Sequence, residues 1–152
     1  MAIIILTTEI KADINKCFDL ARNIDFHKLS MEKTNEKVIA GRTSGLCELG
    51  DTVTWEAFHF WLKQQLTVKI AKFNRSIFFE DEMLKGTFKS MRHEHHFELS
   101  GGITIMTDRF EYTAPLGIIG KLFDLIILKN YMTFLLETRN NLLKSLAEGS
   151  GT

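Results

Sequence analysis

The chain has one proline, two cysteines and no surplus of either charge, and each scarcity removes a class of function. Cys17 and Cys47 are too few for a disulfide framework and lack metal-pair spacing, so buried or inert thiols in a reducing compartment are expected. Nineteen basic residues balance nineteen acidic ones, and neither sign gathers into a block. That balance provides no electrostatic footprint for nucleic acid. Long apolar runs are missing too: Lys121, Asp124 and Lys129 interrupt "APLGIIGKLFDLIILKNYMTFLL", so no transmembrane segment is expected. The opening "MAIIILTTEIKAD" has no basic leader and alternates into charge like a strand, which points to a cytoplasmic protein.

What the chain does have is a core. Its 152 residues, 45% of them hydrophobic, suffice for one domain, placed at 1–147, with the tail 148–152 expected to be disordered. Residues 3–11 read as a strand, and Asp13 is placed to cap a short helix carrying Ile14, Cys17, Phe18 and Ala21 at helical spacing. "RNIDFHKLS" reads as a second short helix or turn. From Glu36 to about Tyr112 the pattern is alternation punctuated by turn signals, a meander of about five or six antiparallel strands. After Pro115 a single helix is predicted from Lys121 to Leu146, with Leu125, Leu128, Met132, Leu135, Leu136, Leu143 and Leu146 facing the core. The fold class is therefore α+β.

The stretch "HEHHFELSGGITIMTDRFEY", residues 93–112, concentrates the chemistry. A two-residue turn at Gly101-Gly102 pairs Phe97 with Met106, His95 with Asp108, His93 with Phe110 and Met91 with Tyr112. The same register sets Glu94 against Arg109 and Arg92 against Glu111, two opposite-charge pairs that a one-residue slip would destroy. The charged pairs mark the solvated face, so Met91, His93, His95, Phe97, Met106, Asp108, Phe110 and Tyr112 face inward. In "DTVTWEAFHFWLKQQLTVKI" a turn near Trp61-Leu62 pairs Val53 with Ile70, Trp55 with Val68, Ala57 with Leu66 and His59 with Gln64. Trp61, an odd turn residue, is then a candidate for the rim of an opening.

Twelve phenylalanines and six methionines make an adaptable interior, either a filled core or the wall of a cavity. His93 and His95, two apart on a strand, could hold a metal with His59 or Asp108. The spacing is looser than a helical HExxH, and a hydrogen-bonded wall of histidines is the simpler reading, so no metal or cofactor is expected. His95 against Asp108 would also form an oriented imidazole for acid–base work. Tyr112 could donate to a ligand oxygen or to a backbone carbonyl. Leu122, Phe123, Ile126, Ile127 and Phe134 form a second helical stripe, expected to be covered by the short helices and loops; otherwise it is a portal, a homodimer surface or a membrane-docking patch.

The segments "GTFKSMRHEHHFE" and "TIMTDRFEYTAPLGIIGKLFD", and more faintly "GRTSGLCELGDTVTWEAFHF", resemble the START-like superfamily of polyketide cyclases and lipid-transport proteins, also called SRPBCC. His93, His95, Phe97, Thr104, Met106, Asp108, Tyr112, Pro115, Leu116 and Gly117 match its pattern. Ser76 stands where many members have proline, and Trp61 where many have glycine. The resemblance implies a helix-grip fold, a curved antiparallel sheet wrapped around a long C-terminal helix with two short helices near the N-terminus. It further implies a small hydrophobic partner bound between sheet and helix against Trp55, His59, Met91, His93, Phe97, Met106, Phe110 and Tyr112. A non-enzymatic binding or carrier protein is expected; the alternatives are a cyclase or dehydratase using His95 and Asp108, and a protein-interaction module.

Overall fold

The computed structural model describes residues 1–149. Seven strands form one antiparallel sheet: β1 (Ala2–Ile10), β2 (Lys37–Gly41), β3 (Thr52–His59), β4 (Leu62–Asn74), β5 (Phe78–Lys85), β6 (Ser90–Ser100) and β7 (Ile103–Thr113). Their order across the sheet is β1-β7-β6-β5-β4-β3-β2, so the six meander strands run consecutively and β1 completes the far edge. Breaks in register at Val38/Ala40, Thr67/Val68 and Ile70/Lys72 add bend where the sheet must curve.

Helices α1 (Ile14–Ala21) and α2 (Ile24–Ser30) follow β1. The Asp13 carboxylate accepts from the backbone N–H of Asn15 and Lys16, as its place before the apolar run predicts. Phe18 on α1 is fully buried and meets the rings of Phe73, Phe79 and Phe97 edge-on at 5.2–5.5 Å between centroids. Cys17 and Cys47 are both free and buried, and burial pushes the Cys47 thiol up to about 12.

The C-terminal helical segment starts four residues before the predicted Lys121. It comprises α3 (Gly117–Phe123), a π-helical stretch (Asp124–Leu128) and α4 (Lys129–Gly149). Gly120 permits this start, because a Cβ there would lie 1.6 Å from the Pro115 carbonyl oxygen. The wider π turn shifts the phase of everything before it. Leu128, Leu136, Leu143 and Ala147 are buried, whereas Leu125 and Leu146, both expected to face the core, are 81% and 38% exposed. The helix also runs through Gly149, two residues into the expected disordered tail; Ser150–Thr152 lie outside the described residues. Its end is tied down where Lys16 Nζ donates to the Ala147 carbonyl at 2.7 Å and Lys11 N–H to Glu148 at 2.9 Å.

The β6–β7 register is the predicted one throughout, including His95 opposite Asp108 and both opposite-charge pairs. Gly101 and Gly102 have φ of 58° and 78°, the left-handed backbone of the tight turn that glycine favours. The β3–β4 register is two residues away from the expected one: Val53 pairs with Val68, Trp55 with Leu66, Ala57 with Gln64 and His59 with Leu62. The turn residues are Phe60 and Trp61, both at positive φ. Phe60 is held there by ring contacts to Phe123 and Tyr131, which locate the turn one residue earlier than side-chain alternation alone implies. A two-residue shift preserves the faces, so the inward set on β3 is unchanged. Among the described residues, no helix is long and apolar enough to cross a membrane.

Candidate functional site

Between the concave face of the sheet and the helices lies a cavity of ≈ 650 Å³. β3 supplies Val53, Trp55, Ala57 and His59, β6 supplies Met91, His93 and His95, β7 supplies Phe110, and α4 supplies Met132, Leu136 and Arg139. Six of the expected site residues, Trp55, His59, Met91, His93, His95 and Phe110, thus reach the cavity. Four others do not: Phe97, Met106, Asp108 and Tyr112 share the inner face but stand behind the wall, which corrects the expected contact set. Phe97 is taken up by Phe18 of α1, as its edge-on ring contact shows. The Tyr112 hydroxyl donates to the Asp124 carboxylate, so it serves neither a ligand nor a backbone carbonyl but anchors the π-helical stretch to β7.

Asp108 organises the polar end of the cavity from behind. Its Oδ1 accepts from His93 Nε2 at 3.0 Å, and its Oδ2 accepts from the Asn140 side-chain amide at 2.7 Å. His95 Nδ1 lies 2.7 Å from the same Oδ1, at an angle that makes it a charge contact and leaves the nitrogen without a hydrogen bond. On its other side His95 Nε2 donates to Asp81 Oδ2 at 3.3 Å. Arg139, buried in α4, stands 3.9 Å from Asp108 and donates to the Ala21 carbonyl and to Asn140.

These contacts separate the two imidazoles. Burial presses His93 down to about 4, helped by the charge on His95 and opposed by Asp108. Burial also works against charge on His95, but Asp108 and Asp81 outweigh it and hold this imidazole above its ordinary value. Burial would raise both carboxyls, yet the histidines win: Asp108 is held well below the carboxylate range, and Asp81 is lowered by His95. These shifts favour the charged form of His95, which lies between two carboxylates, and the neutral form of His93 beside it. Having given its Nε2–H to Asp108, His93 keeps Nδ1 as an acceptor.

A second polar cluster also lines the cavity. His27 Nε2 donates to Glu36 Oε2 at 2.8 Å, His59 Nε2 is 3.8 Å from Glu36 Oε1, and His59 Nδ1 is 2.8 Å from the Tyr131 hydroxyl. The His27 ring rests on Trp55, 4.3 Å between centroids. Burial lowers His59, with Glu36 pulling the other way.

Asp81, Arg139, Asn140, Glu36 and His27 were not among the expected site residues. Asp81 carried a signal: alternation in "FFEDEMLK" puts it on one face with Phe79 and Met83, between two glutamates on the other. Arg139 and Asn140 lie at the inward helical phase between Leu136 and Leu143.

Leu62, Leu116 and Ile119 both line the cavity and are exposed, so the cavity opens between the β3–β4 turn and the start of α3. The stripe of Leu122, Phe123, Ile126, Ile127 and Phe134 is exposed, contrary to the expectation that short helices would cover it. Helices α1 and α2 pack instead against α4. Trp61, at the tip of the turn, is 99% exposed and stands outside the wall, where Phe60 takes the lining position expected of it.

Comparison with solved structures places this architecture. The chain superposes on TTHA0849 from Thermus thermophilus with a TM-score of 0.74 at 15% identity, over 97% of this chain and 100% of that one. A START superfamily protein from Mycobacterium smegmatis gives 0.69 at 9% identity over 95% and 98%. The fold is START-like. Ginseng major latex-like protein 151 from Panax ginseng shares it, with a TM-score of 0.67 at 14% identity over 96% and 97% of the two chains. No protein-family model matches the sequence, and no curated protein matches it. Within the START-like fold, sheet, short helices and C-terminal helix stand as the helix-grip arrangement requires.

Proposed function

We propose that the protein binds and carries a small hydrophobic molecule, lipid-, polyketide- or aromatic-like, in the space between sheet and C-terminal helix. The observation that carries this reading is the cavity: ≈ 650 Å³, walled by Trp55, Met91, Phe110 and Leu136, with the His93–His95–Asp81 group and the His27–Glu36–His59 group among its polar patches. Its size and its mix of apolar wall and polar groups suit a small-molecule site. The polar end selects further. Asp81 and His93 Nδ1 are acceptors, so a ligand bearing a hydroxyl or amine is favoured over a fatty-acid anion. The exposed apolar residues Leu122, Phe123, Ile126 and Ile127 beside the opening then act as an entry portal, a role that suits them better than a homodimer seam across the mouth.

Native and denaturing mass spectra of the purified protein test this directly. The expected result is a co-purifying small molecule that is released on denaturation. A protein that arrives empty and also fails to take up hydroxylated aromatics or sterol-like alcohols would contradict the proposal.

A cyclase or dehydratase reading draws on the 2.7 Å contact of His95 with Asp108. Both His95 nitrogens face carboxylates, however, which suits an acid more than the expected base. Turnover of an aromatic carbonyl substrate, lost in His95→Gln, would favour this reading over carriage.

A further inference from the structure

We infer that Asp81, His93 and His95 form a binding site for a first-row divalent transition metal, of the zinc or iron(II) kind, at the inner end of the cavity. One donor atom from each residue lies within 4.8 Å of the others. The sheet enforces this convergence: Asp81 on β5 pairs directly with His93 on β6, and His95 follows two residues on, on the same face. Two imidazoles and one carboxylate are the nitrogen and oxygen donors such metals prefer. All three residues line the cavity, which leaves the remaining coordination positions for water or a ligand atom.

The surroundings of the triad point the same way. Asp108 engages Nε2 of His93 and faces Nδ1 of His95, so the nitrogens it leaves over are Nδ1 of His93 and Nε2 of His95. The second of these already lies 3.3 Å from Asp81. A carboxylate behind two ligating histidines is the usual outer partner of such sites, fixing tautomer and ring orientation. Asn140 holds that carboxylate in turn, at 2.7 Å. The buried His95 Nδ1 lacks a hydrogen bond. A metal on Nε2 would fix the proton on Nδ1, keeping the charge contact with Asp108 at 2.7 Å. The sequence offered His59 or Asp108 as third ligand; the fold instead gives His59 to Tyr131 and puts Asp108 behind the histidines, with Asp81 in the open place.

This proposal stands apart from hydrophobic-ligand binding, which can be measured on metal-free protein. The test is titration of chelator-stripped protein with Co²⁺, followed by its visible ligand-field bands, with Zn²⁺ as competitor. One equivalent should bind with intense low-symmetry bands that Zn²⁺ abolishes. Asp108→Asn, changing only the outer partner, should weaken binding by about 10–100-fold. Asp81→Asn and His93→Gln should lose the bands, while His96→Gln, whose exposed ring bonds to Glu94, should keep them. Circular dichroism would confirm that each variant is folded. Absence of stoichiometric Co²⁺ or Zn²⁺ binding by the wild-type protein would overturn the inference without recourse to any variant. So would bands that persist unchanged in Asp81→Asn and His93→Gln.

Discussion

His93 and His95 stand two residues apart on one strand, with ring centroids 3.9 Å apart, yet burial and neighbours send their proton affinities in opposite directions. In metal-free protein the consequence is that the two histidines make stability depend on pH in opposite senses. The folded state refuses His93 the proton that the unfolded chain takes up below 6.5, so its contribution is lost as pH drops from there toward 4. His59, also lowered, acts in the same sense. His95 behaves oppositely: its stabilisation is complete below its unfolded value and fades as pH rises through its raised one. The carboxylates of Asp81 and Asp108 stabilise above their unfolded range, and that part is lost as pH falls through their lowered values. Thermal melts across pH should therefore show a shallower decline between 6.5 and 4 in His93→Gln than in wild type. An identical acid limb would mean that His93 is not the group resisting protonation. The His95–Asp108 pairing was legible in the sequence because one turn and two charge pairs set the register. Asp81 was not, since its strand was identified without its facing being assigned.

At the scale of elements, strands were easier to place than turns and helix phase. The β3–β4 turn falls on Phe60 and Trp61 because a tertiary ring contact decides it, and residue preference disfavours both at positive φ. Trp61→Gly should relieve that backbone cost at a side chain with no packing to lose, raising stability by up to about 1 kcal/mol. Phe60→Gly, which also removes the contacts to Phe123 and Tyr131, should not. Chemical denaturation of the two variants separates these outcomes, and a destabilised Trp61→Gly would show that the indole has a structural role. Helix phase was misjudged before Leu128 because the π-helical stretch inserts extra turn width that a constant 3.6-residue period cannot foresee. Leu143→Ala is expected to cost about 2–5 kcal/mol, whereas Leu125→Ala should stay within about 0.5 kcal/mol. Comparable losses from both would place Leu125 in the core after all.

For the whole molecule, the residue pattern carried the sheet, the closing helix and the inward face, but not the hollow. A filled core and a cavity want the same apolar face, and only the assembled curvature of the sheet under α4 leaves ≈ 650 Å³ between them. That volume is where the polar groups acquire a purpose, since a packed core gains little from a neutral imidazole facing inward. It also explains why the mouth is edged by exposed Leu62, Leu116 and Ile119. The most direct test of this account is a titration of metal-free wild-type protein and the cavity-filling variant Ala57→Phe with a hydrophobic fluorophore, followed by displacement with hydroxylated aromatics. Ala57 is buried on the wall, so the larger ring takes up space that a ligand would occupy. Saturable one-to-one binding in wild type, weakened at least about tenfold in a folded Ala57→Phe, is the predicted result. Absence of saturable binding, or binding that Ala57→Phe leaves unchanged, would contradict it.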